Sequence, residues 1–141
     1  MTQETPEQTE TKTPTPALPK CLKVGYQYYE IRKVSDADHF FKAEGNYGLV
    51  DFKKSIIYLN DDLNEVDEAR TLLHEVLHII NSNAGYGWAD ASTWTEENFV
   101  IAGANGICQL FQDNPDFIAY FLTNLHVVDI EDLLCPPEAI N

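Results

Sequence analysis

His74, Glu75 and His78 form an H-E-x-x-H motif within the run Thr-Leu-Leu-His-Glu-Val-Leu-His-Ile-Ile at residues 71–80. On a helix, two histidines four residues apart leave the same face, so both imidazoles can reach one metal ion. Glu75 lies one residue further round, within reach of a water on that metal but badly placed as a ligand. Two neutral nitrogen donors, one carboxylate base and an open coordination position are what zinc-assisted hydrolysis requires. Every other position from Leu72 to Ile80 is apolar, which predicts a helix buried nearly all round. Three titratable groups are costly to bury there unless they pair or bind metal. The competing reading is a chance motif or a satisfied structural cluster; the apolar setting favours a zinc site.

A third ligand has to come from downstream, where the next carboxylates are Asp90, Glu96, Glu97 and, much further on, Asp113. Glu96 and Glu97 open a second periodic segment, residues 96–112, in which Val100, Ala104, Ile107 and Phe111 have the spacing of a core-facing stripe. Glu96 stands one turn before Val100 and is expected to point inward, toward the motif helix. Glu97 falls on the neighbouring line with Ile101, Ala104 and Cys108 and stays open as the alternative ligand. Both acids also suit a helix start, since Thr93-Trp94-Thr95-Glu96 fits a capping box and a first turn favours negative charge.

The elements that must position these residues can be read in outline. Residues 22–34 are β-like, with aromatic and branched side chains in rough alternation, and residues 35–41 read as a turn or loop. Turn signals at residues 44–48 precede a second strand, residues 47–52, and residues 55–60 make a third. Asp62-Leu63-Asn64-Glu65 resembles a capping box that starts the motif helix, expected over residues 63–81. Asn114-Pro115 starts a third helix over residues 116–125, with Phe117, Ile118, Phe121 and Leu122 as its packing face. The expected fold is α+β: a small antiparallel sheet of about three strands packed on the motif helix and one or two further helices.

The pattern His74-Glu75-x-x-His78, followed by Glu96-x-Asn98-x-Val100 on a second helix, resembles the gluzincin type of zinc metallopeptidase. Within it the chain is most similar to the ImmA/IrrE family and to short phage-encoded metallopeptidase-like proteins. Tyr47-Gly48-Leu49-Val50-Asp51-Phe52 and Ser55-Ile56-Ile57-Tyr58-Leu59-Asn60, two strands leading into the motif helix, strengthen the likeness. It covers residues 22–125, although its specific part is the five-residue motif. The resemblance implies a minimal zincin-like fold and a Zn²⁺ ion held by His74, His78 and Glu96. It also implies a protein or peptide substrate paired along a sheet edge, for which residues 55–60 are the expected strand. Where family members often carry Ala after the ligand Glu, this chain has Glu97. Gluzincins assign oxyanion stabilisation to Tyr or His, and Tyr47, Tyr58 and Tyr86 are the candidates here, though each also suits packing.

Composition bounds the rest. A chain of 141 residues makes one modest core. Its net charge of −14 and pI near 4.4 argue against a binder of nucleic acid or anionic membrane, which needs clustered Lys and Arg. Residues 1–20 hold six Thr, four Pro and three Glu against only Met1, Ala17 and Leu18 as apolar residues, so they read as a disordered tail. The folded domain is expected over residues 21–134, with an irregular tail at residues 135–141. Cys21, Cys108 and Cys135 are too far apart for a C-x-x-C site, and Cys108 reads as a small core residue. His39 and His126 have no ligand spacing with another His. With no apolar run long enough for a span or signal peptide, the chain reads as cytoplasmic, in a bacterial host if phage-encoded.

Two functions follow as expectations. One is a zinc-dependent peptidase with Glu75 as general base. The other is a catalytically weak or inactive zinc-stabilised protein that binds or regulates a partner. Glu75 favours the first, because a purely structural zinc site has no need of a carboxylate beside its first His.

Overall fold

Gly25 breaks the first β segment in two. It sits at φ +65° in the turn between β1 (Cys21–Val24) and β2 (Gln27–Val34). A two-residue turn with Gly at positive φ in its first central position matches the twist of the strands it joins. The computed structural model describes residues 16–37, 40–41, 47–85 and 95–125. It continues through β3 (Gly48–Asp51) and β4 (Ile56–Asn60) into three helices, α1 (Glu65–Asn83), α2 (Glu96–Asp113) and α3 (Pro115–Asn124). The fold is α+β. The sheet differs from the expected three antiparallel strands: it has four strands in the order β1-β2-β4-β3 and is mixed. β4 runs parallel to β2, with Ile31 opposite Ile57, and antiparallel to β3, with Val50 opposite Ile57. The reason is topological. After β2 the chain passes beyond the position of β4, forms β3 at the outer edge, and folds back between them.

The β3–β4 turn is closed locally. Asp51 Oδ1 accepts the backbone N–H groups of Lys53 and Lys54, both at 3.0 Å, and Ser55 takes a positive φ of 55° before β4 begins. Alternation then decides the faces. Tyr29, Ile31, Ile57 and Leu59 join Leu72, Val76 and Ile79 of α1 in one buried cluster. Tyr58 points to the other side, edge-on to Phe40 with ring centroids 4.9 Å apart.

α1 starts two residues later than the sequence predicts. Asn64 is its cap, accepting the Asp67 N–H at 2.9 Å and donating to the Asp67 carboxylate at 2.7 Å, a reciprocal pair that satisfies one orphan donor. α2 is capped by Thr95 rather than Thr93, through the Asn98 N–H at 3.2 Å. Asn114 ends α2 and precedes Pro115 at the start of α3. Its buried side chain acts as a strand partner for β1: it accepts the Lys23 N–H and donates to the Lys23 carbonyl, each at 2.8 Å. Lys23 also pairs with Asp113 at 3.4 Å. These contacts satisfy Lys23's outward-facing groups at the β1 edge.

Other expectations shift with the packing. Leu18 packs on the core and Pro19 is buried, so ordered structure begins ahead of Cys21. Cys108 is exposed, not a core residue. The expected inward stripe of α2 is displaced round the helix: Val100, Ala104 and Phe111 are exposed, while Leu110 is buried and Ile107 packs against the core. On α3, Phe117 is buried as expected and Tyr120 is buried with it. The expected tail at residues 1–15, along with His39, Tyr86, Asp90, His126 and residues 135–141, lies outside the described residues. Among the described residues no helix is long and apolar enough to cross a membrane.

One buried polar contact ties three elements together. Glu68 of α1 accepts the Tyr120 hydroxyl at 2.7 Å and pairs with the Lys33 ammonium of β2. Hydrogen bonds to charged groups contribute about 1.5–3 kcal/mol. Tyr120→Phe should therefore lower unfolding stability in urea by about that amount. Burial, with the Glu68 carboxylate beside it, holds the Tyr120 phenol above its ordinary value of 10.0. Folding thus favours the protonated phenol, and this contribution is full below about pH 10 and is lost as the pH rises beyond it. Stability curves of the variant should lack that alkaline loss.

Candidate metal centre

α1 is not buried all round. Leu72, Val76 and Ile79 face the sheet and are fully buried, and at 100° per residue this rotation carries His74 and His78 to the open side of the helix. Of the three motif residues only Glu75 is buried, at 6 % exposure. The expected burial cost of three titratable groups reduces to one.

The two histidines converge. Their Nε2 atoms are 3.1 Å apart and the rings lie edge-on, with centroids separated by 4.8 Å. Two nitrogens at 2.0–2.1 Å from a tetrahedral zinc stand about 3.3 Å apart, so this pair fits two adjacent ligand positions. Without a metal, two facing lone pairs need a shared proton, and a second proton is opposed by the first. His78 has its pKa lowered, first by partial desolvation against the helix surface and second by the charge of His74.

Glu75 is held on the side of α1 that faces β3. A Cβ on Gly48 would come within 2.8 Å of Glu75 Cγ, Glu75 Oε1 and Thr71 Cγ2. Glycine at the start of β3 is what allows the strand to pass directly over the carboxylate. Burial pushes the Glu75 carboxyl up to about 7. Its charged and neutral forms are then both accessible near neutrality, which suits proton transfer.

Glu96 and Glu97 are exposed in the first turn of α2. Glu96 shares a line with Gly103 and Leu110, of which only the Leu110 end is buried, a Cβ on Gly103 meeting nothing within 4 Å, whereas Glu97 lies with Ile101, Ala104 and Cys108 on the exposed side. Neither acid is gathered with the histidines: among the described residues no group of three or more His, Cys, Asp or Glu side chains is placed to hold a metal ion. Two donors therefore fit, and among the described residues no third joins them. Tyr47, exposed beside Gly48, is the tyrosine candidate next to the strand that crosses Glu75, while Tyr58 lies on the far face of the sheet.

No family model matches the chain, and neither a curated protein nor a solved structure does. The likeness to gluzincins thus rests on the motif and its spacing.

Gly48 was legible in the sequence only as a turn signal, since a glycine serving close approach carries no separate mark. Thr71 had no signal at all. Both become interpretable once β3 is seen to cross α1 at Glu75. Gly48→Ala should push β3 and α1 apart and cost about 1–3 kcal/mol of stability, measurable by denaturant unfolding.

Proposed function

We propose that the chain is a small zinc-dependent peptidase with a minimal zincin-like fold. The observation that carries this reading is the pairing of two converging, exposed histidine nitrogens with a buried carboxyl one residue away. His74 and His78 would hold the metal through Nε2, with Glu96 as third ligand and Glu97 as the alternative; the line Glu96 shares with Leu110 supports that order. Bound zinc supplies Lewis acidity, which acidifies water and polarises a scissile carbonyl. Glu75 takes a proton from the attacking water and returns it to the departing amine, so no proton is left over.

The sheet supports a specific mode of substrate alignment, and it corrects the expected edge. β4, proposed from the sequence as the edge strand, is interior between β2 and β3. β3 is the outer strand beside Glu75. The Asn60 N–H donates to the Tyr47 carbonyl at 2.8 Å, so that pair is a hydrogen-bonded one. Antiparallel ladders alternate, and the register Gly48 to Leu59, Leu49 to Tyr58, Val50 to Ile57 then turns the N–H and C=O of Gly48 and Val50 outward. An extended peptide added along β3 would bond to these groups.

A second reading, a metal-stabilised binding protein without peptidase activity, is favoured by the exposed apolar residues on α2. Against it, structural zinc sites are closed by four protein ligands, whereas this histidine pair is open.

Glu75→Gln separates the two readings. The variant should fold and bind zinc as the wild type does, while cleavage of peptide libraries or host lysate, followed by mass spectrometry, falls about a hundred- to ten-thousand-fold. Equal cellular activity of wild type and variant would overturn the peptidase reading. In zinc competition titrations Glu96→Ala should weaken binding far more than Glu97→Ala; the reverse order would transfer the ligand role to Glu97.

A further inference from the structure

Leu49 lies 44 % exposed near the middle of β3, the strand that crosses Glu75. Side chains alternate along a strand. Gly48 lies over Glu75 and Thr71 of α1, so Leu49 stands on the opposite face of the sheet. There it is paired in register with Tyr58, and Tyr58 in turn meets Phe40 edge-on. These three make a short apolar row that ends, open, at the edge of the sheet. Edge strands ordinarily carry charge at such positions, which discourages pairing; this one carries a leucine. Asp51, the next side chain on that face, is taken up by the N–H groups of Lys53 and Lys54.

The open edge leads to the histidines. At 100° per residue, Leu72, Val76 and Ile79 sit on one side of Glu75, toward the core, and His74 and His78 lie about 80° round on the other. Glu75 itself faces β3, the outermost strand among the described residues, so the histidines turn past it, beyond the sheet. A strand added to β3 would stand about 4.8 Å further out, on the histidine side. Its bonds would be made to the outward N–H and C=O groups of Gly48 and Val50. In an antiparallel addition Leu49 is then the non-hydrogen-bonded position between them, where facing side chains approach most closely. The residue beside Gly48 turns its side chain toward Glu75, and the residue beside Leu49 turns to the far face.

We propose that Leu49 determines specificity: the substrate is an extended polypeptide with an apolar side chain opposite Leu49, next to the residue seated over Glu75. The inference rests on the peptidase reading above. That apolar residue adjoins the cleaved bond or stands one residue further from it, according to which peptide bond of the seated residue is attacked. A charged side chain would lose water against Leu49 without gaining a partner, whereas an apolar one forms a cross-strand pair of the kind that stabilises sheets. Position favours a substrate over a lasting partner, because whatever pairs with Gly48 lies beside the histidine nitrogens and over the Glu75 carboxyl.

The zinc-loaded full chain is given a random peptide library and the cleaved bonds are mapped by mass spectrometry. Values of kcat/KM are then measured on matched peptides carrying Leu, Lys or Glu at the assigned position. Wild type is expected to prefer Leu by about fivefold or more, at one fixed position within two residues of the cleaved bond. Leu49→Lys should transfer the preference to Glu, and Leu49→Glu to Lys, gains that loss of folding cannot produce. Leu49→Thr, a residue suited to a strand, should weaken the Leu preference without creating another. Tyr28→Lys, exposed on the same face of the sheet but on β2, should leave the wild-type profile unchanged. Cleavage with no preference at that position, or a Leu preference that the Leu49 variants keep, overturns the proposal and leaves the peptidase reading standing. Absence of any cleavage that depends on zinc and on Glu75 overturns that reading, and this proposal with it. A wild-type dimer that the charge variants dissociate, with the cleavage profile unchanged, assigns Leu49 to a second copy and overturns the proposal too.

Discussion

Leu72, Val76 and Ile79 of α1 share one buried cluster with Ile31, Ile57 and Leu59 of the sheet, and this contact sets the rotation of the helix. Fully burying side chains of this size contributes about 1.5–3 kcal/mol each, more than any surface interaction of the helix could offset. Rotation in turn sorts the motif. With Val76 down, Glu75 is turned toward β3 and buried, while His74 and His78 rise to the open side. A turn of one residue, 100°, would either expose the carboxylate or bury the imidazoles, depending on its direction. The chemistry available at this surface is therefore a consequence of core packing. The burial that seats the helix is also what raises the Glu75 carboxyl toward neutrality.

The two edges of the sheet are treated differently, and the difference gives the molecule a direction. At β1 the side chain of Asn114 takes both backbone groups of Lys23, and Asp113 neutralises its ammonium. At β3 the outward groups of Gly48 and Val50 are turned away from β4, beside the helix that bears the histidines. Among the described residues no strand pairs with β3 on that side, and an open edge is a liability unless it has a use. Here it lies next to the one buried carboxyl of the motif, which is where an extended polypeptide would have to be held for Glu75 to serve it.

Local chemistry made much of this legible in the sequence. The i, i+4 histidines, the Asn64 and Thr95 regions as helix starts, and Asn114-Pro115 as the junction between helices are all set within a few residues, and all lie where the spacing predicts. Long-range choices were not legible. The split at Gly25 is hidden because strand-like residues continue on both sides of it, and the parallel pairing of β2 with β4 depends on where the chain travels after Val34. The stripe on α2 was misread for a physical reason: this helix is apolar over two adjoining arcs, and period alone does not say which one meets α1. Ile80 decides it, because only glycine at position 106 lets that side chain approach. Likewise Glu68 and Tyr120, fifty-two residues apart, carry no sequence sign of their hydrogen bond.

The central claim is that the converging imidazoles of α1 form two corners of a zinc site with a carboxylate, and not a thiolate, completing the protein ligands. X-ray absorption at the zinc edge, on the full chain loaded with one equivalent of metal, tests this directly. The account predicts two histidine nitrogens at about 2.0–2.1 Å, with the remaining first-shell scatterers oxygen. Loss of the histidine signal should follow His74→Ala. A shell containing sulfur at about 2.3 Å, or a histidine signal unchanged in His74→Ala, would contradict it.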